Sequence, residues 1–391
     1  MDERLSAFME TFNAGVYASA LDVEPHLWNA TFWDTLPQKT RDEVFLAFVR
    51  AAVERGLKTM PDIYKKDYAS KGLSARAIET WDDFYELPGL IKDSSISGVG
   101  FRPKVLQNPL VMKPLDVTNA AVYKSGGTRG VATPTFITVR DREIESFGLK
   151  RCFEYMGINS SSRMLSTYNP THKGGELIKE SMMKIGGLFV PRRTTDNAEQ
   201  TIETIKHYGV NVLAAVQGPI VEGDNTKKGG GVDFLSLVEA GQDVLADTID
   251  VLFITGYVLI PEVIEWARTF NKILATTLGS SEAIPQATST SFANGLCSHN
   301  NMHVLYGPHY VEVVKEESGI LVPAKKNEEG ILCYTTLARE GTLYLRYLPG
   351  DSARLVAHAG ECGCGLRSEI ITDIGRLDIT EDVITAGCCI G

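Results

Sequence analysis

The sequence predicts an α/β fold with a parallel sheet, followed by a β-rich, barrel-like subdomain. Three observations carry that expectation. Short valine-rich apolar runs alternate with helical periodicity through the middle of the chain. Near residue 303 the texture changes to closely spaced β-prone runs separated by Gly, Pro and charged turns. The size, 391 residues with 43% hydrophobic and 23% charged content, suits a globular chain with two or three packing units. The expected divisions are a helical region over 1–95, an α/β core over 96–300 and the β-rich subdomain over 301–391.

In the helical region, Thr40-Arg41-Asp42-Glu43 has capping-box spacing. Val44, Phe45, Phe48, Val49, Ala52 and Val53 then repeat at helical intervals, and Gly56 is the expected stop. In the core, 210–216 and 251–255 read as strands, and Pro261 opens a helix that runs to about Phe270. The run 273–278 reads as a strand that delivers Gly279-Ser280-Ser281-Glu282 at its carboxyl end, where ligand groups gather in open parallel sheets. Downstream, HVLYGPHYVEVV, GILCYTTL, GTLYLRYL and ARLVAHA read as β-rich, and KKGGG at 227–231 reads as a surface loop.

A net charge of −10 argues against a nucleic-acid partner, because phosphate-backbone binding is driven by clustered Lys and Arg. No apolar run approaches the roughly 18 residues that cross a bilayer. The start, MDERLSAFMETF, has no basic flank before an apolar run, so no signal peptide is read and the cytoplasm is the expected location. Seven cysteines, with close pairs Cys362/Cys364 and Cys388/Cys389, suit metal binding or reactive thiols better than a disulfide framework.

Three segments carry chemistry. SGGTRG, from Ser125 through Gly126, Gly127, Thr128 and Arg129 to Gly130, offers backbone amides and hydroxyls to a polyphosphate, without the spacing of a Walker loop. Glu282 at a strand end can hold Mg²⁺, which takes one or two protein carboxylates plus substrate phosphates. Asp351, after Pro-Gly in RYLPGD, can accept hydrogen bonds from both ribose hydroxyls. Each has an ordinary alternative: a glycine turn, a helix-start glutamate favoured by the macrodipole, or an aspartate bonding its own turn. Their order along the chain describes an ATP site.

That order resembles the adenylate-forming superfamily, and within it the phenylacetate–coenzyme A ligase-like branch. SGGTRG is similar to the family's phosphate loop, LGSSE to its aromatic-Gly-x-Ser/Thr-Glu motif and RYLPGD to its Arg-Tyr-x-Thr-Gly-Asp motif. ETWDDFYELPGLIKDS and CGCGLRSEIITDIGRLD extend the resemblance, which runs from about residue 60 to the end. It implies the large N-terminal domain of such an enzyme. Ser125, Gly126, Gly127, Thr128 and Gly130 would bind the phosphates, and Glu282 the Mg²⁺. Asp351 and Arg376 would hold the ribose, with Asp378 as hinge. Gly256 would lie beside adenine, Gly279, Ser280 and Ser281 would be cofactor-binding, and 168–175 (YNPTHKGG) would line the acyl pocket. Thr128, Glu282 and His172 are the candidate catalytic residues.

The chain departs from the family at Arg129, where Thr is usual, at Val131-Ala132 and at Leu278, which replaces an adenine-stacking aromatic. It ends at Gly391, short of the mobile C-terminal domain with its catalytic lysine. The resemblance leaves open a truncated form, adenylation without that lysine, or a module that no longer catalyses.

Cys297 and His303 (C-x5-H), with Cys362 and Cys364, offer three thiolates and an imidazole to tetrahedral Zn²⁺. His299 is the alternative fourth ligand, and packed apolar cysteines are the ordinary reading. The expected reaction is ATP-dependent activation of a carboxylic acid to acyl-AMP, with transfer to coenzyme A. An acyl-protein synthetase using Cys388 or Cys389, or an amide-forming variant, stays open, as do a non-catalytic nucleotide- or acyl-binding module and a homodimer.

Overall fold

The computed structural model describes residues 3–70, 72, 78–91, 109–125, 133–217, 232–256, 259–289 and 301–376. The chain divides into two compact bodies, one of Met1–Ile144 with Val304–Gly391 and one of Glu145–His303.

The first body begins with α1 (Glu3–Asn13), α2 (Gln38–Thr59), α3 (Pro61–Ser70) and α4 (Trp81–Tyr85). The short strands β1 (Leu90–Ile91), β2 (Ala120–Lys124) and β3 (Pro134–Thr138) follow, and α5 (Val139–Tyr155) crosses into the second body. α2 buries the face its periodicity predicts, Val44, Phe45, Phe48, Val49, Ala52 and Val53. Trp33 packs edge-on against Phe45 and stacks on Trp28 at 4.7 Å.

Two local expectations fail here. α2 starts at Gln38 with Pro37 as N-cap and no side-chain cap, so Thr40 and Glu43 lie inside the helix. The Arg41 N–H donates to Pro37 O at 3.0 Å, which starts the ladder without a capping box. The box forms instead at Thr80 and Asp83, ahead of α4. Gly56 is also not the stop. The helix continues to Thr59 and ends where Pro61 disfavours helical geometry at Met60. Gly56 serves close packing, since a Cβ there would lie 2.9 Å from Leu345 Cδ1.

The second body is the parallel α/β unit that the middle of the sequence predicts. Its strands are β4 (Arg163–Ser166), β5 (Leu188–Val190), β6 (Val212–Ala215), β7 (Val251–Thr255), β8 (Ile273–Leu278) and β9 (Ala287–Thr288). Helices α6 (Lys173–Ile185), α7 (Ala198–Tyr208), α8 (Phe234–Thr248) and α9 (Pro261–Thr269) connect them. The order is β5-β4-β6-β7-β8-β9, parallel except for β9. Every residue of β6 is buried, as expected where helices cover both faces of a parallel sheet. Leu213, Leu252 and Ile254 pack with Phe234, Leu237 and Trp266 in one core cluster.

The remaining strands return to the first body. They are β10 (Met302–Val304), β11 (His309–Glu317), β12 (Ile320–Pro323), β13 (Glu329–Thr336), β14 (Tyr347–Leu348), β15 (Asp351–Ala357) and β16 (Ile370–Arg376). β13 pairs antiparallel with β11 on one edge and with β14 and β15 on the other. This is the expected β-rich segment, with one difference. Of GTLYLRYL, only Tyr347 and Leu348 form a strand. The earlier amides are taken by side chains: Gly341 N–H by Asp141, Tyr344 N–H by Thr336 Oγ1 and Leu345 N–H by the Tyr64 hydroxyl. The Arg346 guanidinium is buried and donates to Tyr85 O, Leu87 O, Leu321 O and Glu312 Oε1, so the arginine of RYLPGD ties this body together.

No helix of the described residues is long and apolar enough to cross a membrane.

Candidate active site

In the second body, the parallel register brings the carboxyl ends of β4, β6, β7 and β8 to one edge. The pairs Ser166↔Ala214, Ala215↔Ile254 and Thr255↔Thr277 set that alignment. Hydroxyls stitch the edge. The Tyr168 hydroxyl lies 2.8 Å from both Ala215 O and Thr255 O and accepts the Thr255 N–H at 2.7 Å. Thr255 Oγ1 donates to Thr277 O at 2.8 Å. Gly256 follows β7 with φ of 82°, a left-handed geometry that glycine adopts without strain, and among the described residues a Cβ there would meet nothing within 4 Å.

β8 ends at the half-buried Leu278 and delivers Gly279-Ser280-Ser281-Glu282 into a tight loop. Ser280 and Ala283 exchange main-chain hydrogen bonds at 2.9 and 3.1 Å, and Gln286 N–H donates to Leu278 O at 2.8 Å. Glu282 is fully buried in this loop, not at a helix start as its ordinary alternative had it. A hard carboxylate at the carboxyl end of a strand is the donor type that Mg²⁺ takes.

His172 caps α6, its Nδ1 accepting the Gly174 N–H at 3.2 Å. That bond places the proton of the neutral ring on Nε2, which faces Ser281 Oγ at 3.4 Å. Burial, and then the adjacent Lys173 ammonium, push the His172 pKa below its ordinary value, against smaller opposing pulls from Glu176 and Glu282. The imidazole is thus held neutral and aimed at the loop that carries Glu282. Gly175 permits this approach, because a Cβ there would lie 2.1 Å from Asn169 O.

In the first body, Ser125 closes the neck of the hairpin between β2 and β3. Its N–H donates to Thr133 O at 3.1 Å and its Oγ accepts the Thr133 N–H at 2.8 Å. Asp351 opens β15 and stands opposite Arg376 in the register with β16, so the two ribose candidates are cross-strand partners. Gly350 precedes Asp351 with φ of 86°, the turn geometry that Pro-Gly suggests.

With this geometry in view, comparison with solved structures gives a clear likeness. 2-Hydroxyisobutyryl-CoA ligase in complex with 2-HIB-AMP and CoA, in the thioesterification state, matches with a TM-score of 0.71 at 15% identity. The match covers 88% of this chain and 70% of that one. An open conformation of the same ligase matches with a TM-score of 0.68 at 14% identity over 88% of this chain and 77% of that one. The fold is that of 2-hydroxyisobutyryl-CoA ligase. No family model matches the sequence, and no curated protein matches it.

Set against that ligase fold, the sequence-predicted residues fall into three groups. The structure brings His172, Ser281 and Glu282 together, and aligns Asp351 with Arg376. Gly126, Gly127, Thr128, Gly130, Cys297, His299, Asp378, Cys388, Cys389 and the 227–231 loop lie outside the described residues. His303 sits on β10 one residue before Val304, whose N–H donates to Glu369 O at 2.9 Å. Cys362 and Cys364 lie in the first body, the one buried and the other half-buried. Sequence reasoning did not single out Glu145, and took Lys173 only as part of the 168–175 segment; the two form a buried ion pair.

The Tyr168 bonds give a direct expectation. Tyr168→Phe strands buried main-chain groups of β6 and β7, which costs about 1–3 kcal/mol. Denaturant unfolding should register that loss, and unchanged stability would show that the hydroxyl does not tie the strand ends.

Proposed function

We propose that this protein activates a carboxylic acid with ATP, forming an acyl-adenylate and pyrophosphate, and passes the acyl group to a thiol, with coenzyme A as the acceptor. One observation carries the reading: a buried carboxylate, Glu282, at the carboxyl end of a parallel strand, with a neutral His172 aimed at its loop. The fold supports it, because the ligase of the same fold is described with 2-HIB-AMP and CoA. The ordered motifs support the phenylacetate–coenzyme A ligase-like branch.

In the first step a carboxylate oxygen of the acid attacks the α-phosphorus, and pyrophosphate leaves. In the second, a thiolate sulfur attacks the acyl carbon, and AMP leaves. Such chemistry rests mainly on positioning and charge compensation. Magnesium, when bound, neutralises phosphate charge and orients the polyphosphate. Glu282 would hold it, and its loop is fixed by the Ser280–Ala283 turn. Ser125 pins the neck of the phosphate loop, and Asp351 with Arg376 would receive the ribose. The neutral His172 donates through Nε2 towards Ser281, on the loop that carries Glu282.

Zn²⁺ is a separate part of the reading. The imidazole of His303 is fully buried, Cys362 is buried and Cys364 half-buried, and the three residue types offer one nitrogen and two sulfurs. That donor set suits a structural zinc better than a hard cation.

Two measurements test these assignments. Pyrophosphate release with ATP and Mg²⁺ across a panel of aryl and aliphatic acids should depend on the acid, and Glu282→Ala should lower it about a hundredfold or more. Nucleotide binding with no acid-dependent release would favour a non-catalytic module, and near wild-type rates for Glu282→Ala would remove its role. Metal analysis of protein purified without chelator should find about one zinc per chain, reduced in Cys364→Ser; its absence rejects the zinc site.

A further inference from the structure

Lys173 and Glu145 are fully enclosed in the second body, with side-chain exposures of 0% and 2%. Lys173 is the first residue of α6, directly after the capping His172, and Glu145 lies on α5. The ammonium donates to Glu145 Oε1 at 2.8 Å and stands equally close to Oε2. It also donates to Ser281 O at 3.1 Å. The carboxylate in turn accepts the Ile284 N–H through Oε1 at 3.3 Å. The pair therefore grips the main chain on both sides of Glu282, through a carbonyl just before it and an amide two residues after it. α5 also packs close on this loop, since a Cβ at Gly148 would lie 3.1 Å from Pro285 Cδ.

Stability alone is a poor reason for such a pair. Taking two charges out of water costs about as much as their attraction returns, and an apolar pair of similar volume commonly serves as well. What apolar side chains do not supply is direction. An ammonium aimed at one carbonyl and a carboxylate aimed at one amide fix the height and rotation of a loop. A carboxylate displaced by about 1 Å from its working position can lose roughly a hundredfold in rate.

We propose that Lys173 and Glu145 are positioning residues for the adenylation step, an inference that rests on the reading of Glu282 as the magnesium carboxylate. Both side chains are enclosed. They act through the Ser281–Ile284 main chain, which sets where the Glu282 carboxylate stands, while His172, the neighbour of Lys173, is registered to Ser281 by the same helix start.

The test is the double variant Lys173→Met with Glu145→Gln, which removes both charges while keeping similar volume. Two readouts are taken on the full chain: amide hydrogen exchange over 279–286, and the Mg²⁺ concentration at half-maximal ATP binding. The expected result is exchange at least tenfold faster in that segment with a retained thermal transition, and a Mg²⁺ midpoint raised about tenfold. Unchanged exchange and midpoint in a folded double variant would overturn the proposal. Should the double variant not fold, Glu145→Asp decides, because it keeps the ion pair but withdraws the carboxylate from Ile284. Threefold faster exchange over the loop supports the proposal, and unchanged exchange overturns it. A wild-type chain that binds no Mg²⁺ and ATP refutes the reading of Glu282, while loop exchange still reports whether the pair holds the loop.

Discussion

The candidate site depends on the parallel pairing of β7 with β8. With Thr255 opposite Thr277, Gly256 comes level with Leu278, the last residue of β8, one position before Gly279. A shift of one residue would turn every buried side chain of β7 to the opposite face. It would also separate the Thr255 hydroxyl from Thr277 O, the bond that ties the two ends. Tyr168 extends the tie to β6 through Ala215 O, so strand-end loops rest on a stitched edge and not on loop packing alone.

Charge is used sparingly on that edge. His172 is kept neutral by burial and by Lys173, and Lys173 is neutralised by Glu145. Beside that neutralised pair, the same loop carries the Glu282 carboxylate and the hydroxyls of Ser280 and Ser281. A site of this composition suits a hard cation that arrives with its own phosphate ligands. The buried pair in the first body, Arg346 with Glu312, obeys the same rule: the guanidinium meets a carboxylate and three carbonyls, so its burial leaves most donors answered.

Much of the second body was legible in the sequence, for local reasons. β7 and β8 are short β-branched runs that end in glycine, and α9 starts where proline removes an amide that needs no partner. Elements set by distant contacts were not legible. The helix around Gly56 passes its expected stop because Leu343 and Leu345 need that surface. GTLYLRYL loses most of its strand because Asp141, Thr336 and Tyr64 claim its amides. In the candidate site, Glu282 and His172 stood out by motif. Lys173 and Glu145 did not, since their partners lie 28 and 108 residues away and a single Lys or Glu on a helix carries no local signal.

The central claim is that an acid's carboxylate attacks the α-phosphorus of ATP. The most direct measurement uses an ¹⁸O-labelled carboxylic acid, chosen as the one that gives the fastest pyrophosphate release, with Mg²⁺, ATP and coenzyme A. Adenylation followed by thiol attack transfers one labelled oxygen from the acid to AMP, and mass analysis of the nucleotide should find it there. Label in inorganic phosphate, or AMP formed without label, would contradict the account.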